Sequence, residues 1–151
     1  MTEINLRVFL DTSVLFAAVL SPGGGGRKLF PLAEAGVLKL LVGPTVLREC
    51  EEVVKRKAPG SLSKLAHLLA AARTETASAP SKRQIDIARS HVYYLPDAQV
   101  LAEAIRAKPD WFVTHDKKHF LKSRRNMLLP FEIGTPGDFI EKFKATWGRN
   151  T

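Results

Sequence analysis

Cysteine is almost missing from this sequence: Cys50 is the only one in 151 residues. That excludes an internal disulfide framework and a cysteine-built metal cluster. Long apolar runs are missing too. The longest, Val14 to Leu20, falls far short of the roughly 20 residues that cross a bilayer. The opening MTEINLR has no basic region followed by an apolar one, so no secretory leader is expected. Acidic residues are outnumbered, with 15 Asp and Glu against 23 Lys and Arg, for a net charge of +8. Apolar residues at 45% and charged residues at 25% are what an ordinary globular protein carries, which argues against disorder. The expectation is one cytoplasmic domain over residues 1–151, large enough for a core of its own.

The basic excess suits a polyanionic partner, because clustered Lys and Arg release counterions from phosphates. A charge that merely keeps the chain soluble competes with that reading. Distribution favours the partner. Between Arg106 and Arg125 stand seven basic residues (Arg106, Lys108, Lys117, Lys118, Lys122, Arg124 and Arg125) against Asp110 and Asp116.

Along the chain, apolar runs alternate with helical patterns. Ile4 to Leu10, Val37 to Val42, His91 to Leu95 and Trp111 to Thr114 are expected strands, with Phe131 to Ile133 as a fifth, edge strand. Helices are expected at Val14 to Leu20, Arg27 to Ala35, Thr45 to Lys57, Ser61 to Arg73 and Ser81 to Ser90. Two more follow, one opening at Pro96-Asp97 and one over Pro136 to Trp147. Such alternation predicts an α/β fold with a central, mostly parallel sheet of four to five strands flanked by helices. The functional crevice of such a sheet lies beyond the carboxyl ends of its strands.

Three acids belong to that edge: Asp11 after the first strand, Asp97 opening the helix after the third, and Asp116 just past the fourth. Each alone is readily explained as a helix cap. Together they would repel one another and raise their own pKa values unless a cation neutralised them. Carboxylate oxygens suit Mg²⁺ or Mn²⁺, completed by water and substrate phosphate. On the helix near Thr45 to Lys57, Glu49 and Glu51 both flank the apolar stripe, and the helical wheel does not choose between them.

These residues resemble the PIN domain family, small metal-dependent ribonucleases that include VapC-like toxins. The resemblance runs through VFLDTSVLFAAVLSP, GPTVLRECEEVV, LPDAQVLAEAI, WFVTHDKKHFL and FEIGTPGDFIEKF, in that order. It implies a single PIN-like domain. It also implies Asp11, Glu49, Asp97 and Asp116 as the catalytic, metal-holding acids, and so selects Glu49 over Glu51. Ser13 and Thr114 match polar positions that support the metal site. The implied activity is hydrolysis of RNA phosphodiester bonds with Mg²⁺ or Mn²⁺. Lys117, Lys118, Lys122, Arg124 and Arg125 are candidates for holding the RNA backbone. Relatives are often restrained by an antitoxin peptide that enters the acidic crevice, and relatives often dimerise; an antitoxin protein and a homodimer are the implied partners. Where many relatives carry a further acid after the last Asp, this chain has Lys117, Lys118 and His119. That implies one metal held tightly and a second only with substrate.

Other chemistries fit less well. Gly23 to Lys28 lacks the spacing and the Ser or Thr of a P-loop, and reads as a flexible connector. An aspartyl-phosphate phosphatase would want a second Asp where Ser13 stands. The elbow G-x-S-x-G is absent. His67, His91 and His119 show no zinc-ligand spacing and are expected to be ordinary surface or half-buried side chains. The rival from another class is a PIN-like module that binds RNA or a protein partner without catalysis; retention of all four acids argues against it.

Overall fold

Five short strands are held side by side in the order β3-β2-β1-β4-β5, every pair parallel. The structure is a computed structural model that describes residues 5–148. In chain order it runs β1 (Leu6–Leu10), α1 (Thr12–Leu20), α2 (Gly25–Glu34), β2 (Leu38–Val42) and α3 (Pro44–Lys57). A 3-10 turn at Pro59–Ser61 leads to α4 (Leu62–Ala71), β3 (Glu75–Thr76), α5 (Lys82–His91), α6 (Leu95–Ala107) and β4 (Trp111–Val113). A π-helical turn at Lys117–Leu121 and a 3-10 turn at Arg124–Asn126 precede β5 (Glu132–Gly134) and α7 (Pro136–Trp147). The architecture is α/β, as expected, with a sheet that is wholly parallel. No helix among the described residues is long and apolar enough to cross a membrane.

The central strands are apolar on both faces because helices cover both faces. Val8, Phe9 and Leu10 of β1, Leu40 and Leu41 of β2, and Phe112 and Val113 of β4 are all buried. Phe9 stacks on Phe112, and Phe112 meets Phe120 and Phe131, so an aromatic seam runs under the β1–β4 junction. Helices supply the rest of the core through Val14, Leu15, Leu29, Phe30, Val46, Val54, Leu101 and Phe139. The last helix starts where its sequence says it should. Thr135 and Asp138 form a reciprocal capping box, with Pro136 in the first turn.

The third expected strand is a correction. His91 to Leu95 pairs with nothing: His91 ends α5, Leu95 starts α6, and Tyr93 and Tyr94 between them are exposed. The apolar content of Val92-Tyr93-Tyr94 was misleading, for only Val92 is buried. The real third strand is Glu75–Thr76, both residues exposed, pairing with Leu41 and Val42 of β2. A two-residue polar edge strand carries no hydrophobic period, so its identity comes from backbone pairing alone. The Gly23 to Gly26 loop is also more ordered than a connector. Gly25 and Gly26 open α2, and a Cβ on Gly26 would stand 3.1 Å from the Val14 carbonyl oxygen.

β1 is the strand from which the chain steps to one side for β2 and to the other side for β4. The carboxyl ends of β1 and β4 therefore frame the switch point, where open parallel sheets place their ligands.

Candidate active site

Asp11 follows β1 at that switch point and is 5% exposed. It occupies the position before α1 but makes no side-chain cap bond, so the capping explanation fails for it. Its Oδ2 instead accepts the Thr114 hydroxyl at 2.6 Å and the Ser13 hydroxyl at 3.1 Å. Both hydroxyls are aligned from behind by backbone N–H groups: Asp116 N–H donates to Thr114 Oγ1 at 2.9 Å and His115 N–H to Ser13 Oγ at 3.1 Å. Burial pushes the Asp11 carboxyl above its ordinary value, against the pull of the Thr114, Thr12 and Ser13 bonds and with added repulsion from Asp116.

Asp97 lies in the first turn of α6, which opens at the same edge. Its carboxyl is pushed up to about 6, first by burial and then by the Asp116 charge, with smaller contributions from Asp11 and Glu49; His119 pulls the other way. Asp97 is thus the group that senses all three other acids. Its Oδ2 is buried, and its close polar contact is the His119 ring nitrogen at 2.7 Å.

Glu49 comes from the middle of α3, half-buried, with Oε1 accepting the Thr12 hydroxyl at 2.8 Å. Glu51 is exposed and faces a groove between α3 and α4 lined by Leu47, Leu62, Leu65 and Leu69. Of the two, Glu49 is the one whose charge reaches Asp97 and helps to raise its carboxyl. Asp116 does cap a helical turn, accepting the His119 N–H at 3.0 Å. Partial burial acts to raise its carboxyl, yet the backbone and ring of His119 outweigh that and hold it below the ordinary range.

The residue that sequence reasoning missed is His119. Its Nδ1 lies 2.7 Å from Asp97 Oδ2 and 2.9 Å from Asp116 Oδ2. Nδ1 carries at most one proton, which the two carboxylates share as competing acceptors. Asp97, Asp116 and His119 could together hold a metal ion, their donor atoms all lying within 4.8 Å of one another. A signal was available: an imidazole three residues after an Asp, on a helical turn, returns to the same carboxylate. Thr12 was missed as well, although it is the middle residue of the D-T-S run that delivers Asp11 and Ser13.

The basic candidates do not form one uniform set. Lys117, Lys118, Lys122, Arg124 and Arg125 are all exposed. Arg124 is committed to Asp138 at 3.2 Å, bracing the start of α7. None of the other four has an ion pair among the described residues. His67 is exposed and His91 half-buried, as expected of ordinary histidines, and His115 is exposed as well.

Comparison with known proteins agrees with this geometry. No curated protein matches the chain. Nine chains of solved structures do. One belongs to the crystal structure of VapBC2 from Rickettsia felis bound to a DNA fragment from their promoter. It is 16% identical with a TM-score of 0.64, over 85% of this chain and 97% of that one. At that identity the likeness concerns the fold. A family model described as PIN domain matches residues 7–118, a stretch that holds Asp11, Glu49, Asp97 and Asp116 together with the hydroxyls around them. By that match, and with this sheet order and this cluster at its switch point, the chain belongs to the PIN domain family.

Proposed function

We propose that this protein is a metal-dependent endoribonuclease and the cytoplasmic toxin of a toxin–antitoxin pair. The observation that carries the reading is the crowding of carboxylates at Asp97, pushed up by its burial and by Asp116, Asp11 and Glu49, with the His119 ring 2.7 Å from its Oδ2 as the cationic group the chain itself offers there. Four acids in one crevice are costly, and one imidazole offsets at most one of their charges, so a further cation is favoured there. The four proposed donors are all carboxylates, a set that fits Mg²⁺ or Mn²⁺.

Asp11, Glu49, Asp97 and Asp116 would hold the ion. When bound, it supplies Lewis-acid polarisation of a phosphodiester and acidifies the water that attacks it. The chain's own residues do the positioning. Thr114 and Ser13 fix the Asp11 carboxylate, Thr12 fixes Glu49, and His119 fixes Asp116. Lys117, Lys118, Lys122 and Arg125 are exposed and suited to phosphates of the RNA backbone, which is the charge pattern a nuclease needs around an acidic hole.

The toxin role rests on the likeness in fold to a chain of a VapBC complex. An antitoxin that inserts a basic side chain among these four acids would neutralise them as a metal does. A homodimer is part of the same proposal.

The test is cleavage of a mixed structured and single-stranded RNA pool in Mn²⁺, Mg²⁺ or EDTA, with Asp97→Asn as control. Cutting that needs metal and is lost in the variant is the expected result. RNA bound but never cut would replace the nuclease with a non-catalytic PIN-like module.

A further inference from the structure

Tyr94 immediately precedes α6 and is 54% exposed, yet its ring lies flat against the His119 imidazole, centroids 5.2 Å apart and planes 15° apart. His119 in turn touches Asp97 and Asp116. A two-ring stack thus begins at the carboxylates and ends in solvent. Neither the core nor the helix explains Tyr94. It is not buried, its neighbour Tyr93 is fully exposed, and it makes no side-chain cap bond at a position where Ser, Thr, Asp or Asn would serve better. Aromatic surface left open beside a charged cluster forgoes the gain of burial.

We propose that Tyr94 and His119 form a platform on which an unpaired nucleobase stacks, placing the adjoining phosphate at the acidic cluster. This rests on the ribonuclease reading and narrows its substrate to single-stranded or looped RNA. Stacking on an aromatic face tolerates any base, because every base has a π-face. Bases inside a duplex are already stacked and are not offered to such a surface. Lys117 and Lys118, exposed and adjacent in sequence to His119, bring phosphate-pairing charge to the same rim. That charge favours a polyanion over a protein as the occupant.

The test uses the full chain in EDTA, where cleavage does not compete, and a short single-stranded RNA carrying 2-aminopurine. Binding should quench the fluorescence. Tyr94→Ala should abolish the quench and weaken binding about 5- to 150-fold, while Tyr94→Phe keeps both. The same strand in a duplex should give no quench. Wild-type quench and affinity in Tyr94→Ala would overturn the platform, and so would equal quench from the duplex. If Mn²⁺-dependent cleavage of that strand then continues, the platform fails and the nuclease stands. If the wild-type chain neither binds nor cuts any RNA, the nuclease reading itself fails. A change of oligomeric state in Tyr94→Ala, with RNA binding untouched, would assign the ring to a protein contact and overturn the proposal.

Discussion

Helix α6 carries two buried or half-buried acids less than two turns apart, and they are chemically opposite. Glu103, 2% exposed, is saturated: Oε1 accepts the Thr45 N–H at 2.9 Å, and Oε2 accepts the Thr45 hydroxyl at 2.5 Å and the Gln99 amide at 3.1 Å. Gly43 leaves room for it, since a Cβ there would collide with the Glu103 carboxylate. Asp97 has three acids for neighbours, and its buried Oδ2 has only the His119 ring, at 2.7 Å, set against them. Burial is common to both. What separates the two is how fully hydrogen bonds from the fold satisfy them.

The largest effect that tests this contrast is on activity. Asp97→Asn or Asp11→Asn should lower cleavage by about 10³-fold or more, since each removes a charge that would hold the proposed metal. The folded state should survive, and in EDTA at pH 7 Asp97→Asn should be more stable than the parent by about 1–2 kcal/mol. Loss of folding in that variant, seen by circular dichroism, would place Asp97 with Glu103 and erase the distinction.

Glu103→Ala should do the reverse. It strands the Thr45 N–H and hydroxyl and leaves a cavity, for a cost of about 3 kcal/mol and a fall in Tm of roughly 6–12 °C. Its residual activity per folded molecule should be close to wild type. Thermal melts and active-site titration together check both halves.

A smaller effect concerns pH. Asp97 is raised from 3.8 to about 6, and Asp11 is raised as well, so the folded state holds their protons more tightly than the unfolded chain. Metal-free protein should therefore gain stability as pH falls from 7 to 5, by about 1–2 kcal/mol. Asp116 and Asp138 are shifted downward and oppose the trend in more acidic solution, where their native bonds are lost. Asp97→Asn should flatten most of the gain; an unchanged slope would remove Asp97 as its source. The smallest effect belongs to the rim. Lys117→Gln with Lys118→Gln should weaken RNA binding only a few-fold, and the salt dependence should drop by about 0.7 per lost phosphate contact.

Much of this was legible in sequence for a physical reason. The inner strands are continuous apolar runs ended by polar residues, so Asp11 and Asp116 could be assigned to the carboxyl edge without coordinates. Thr135-Pro136 marked α7 by its capping chemistry. Glu103 was not legible, because it sits among the inward residues of α6 and depends on Thr45, 58 positions away, and on the room that Gly43 leaves. Glu75–Thr76 was hidden because an exposed two-residue strand has no apolar pattern. His119 escaped because histidine spacing was weighed against zinc motifs, whereas its partners are carboxylates from two different elements.

The pairing of β1 with β4 has a kinetic corollary. Thr114 reaches Asp11 across 103 residues of sequence, so that contact closes one of the longest loops in the chain. Closing it costs chain entropy ahead of any reward from the contact. If that closure follows the rate-limiting barrier, the carboxylates crowd only on the native side and their repulsion acts there alone. Relieving it by Asp97→Asn should leave the refolding rate nearly unchanged and slow the rate of unfolding, which is the signature of an interaction absent from the transition state.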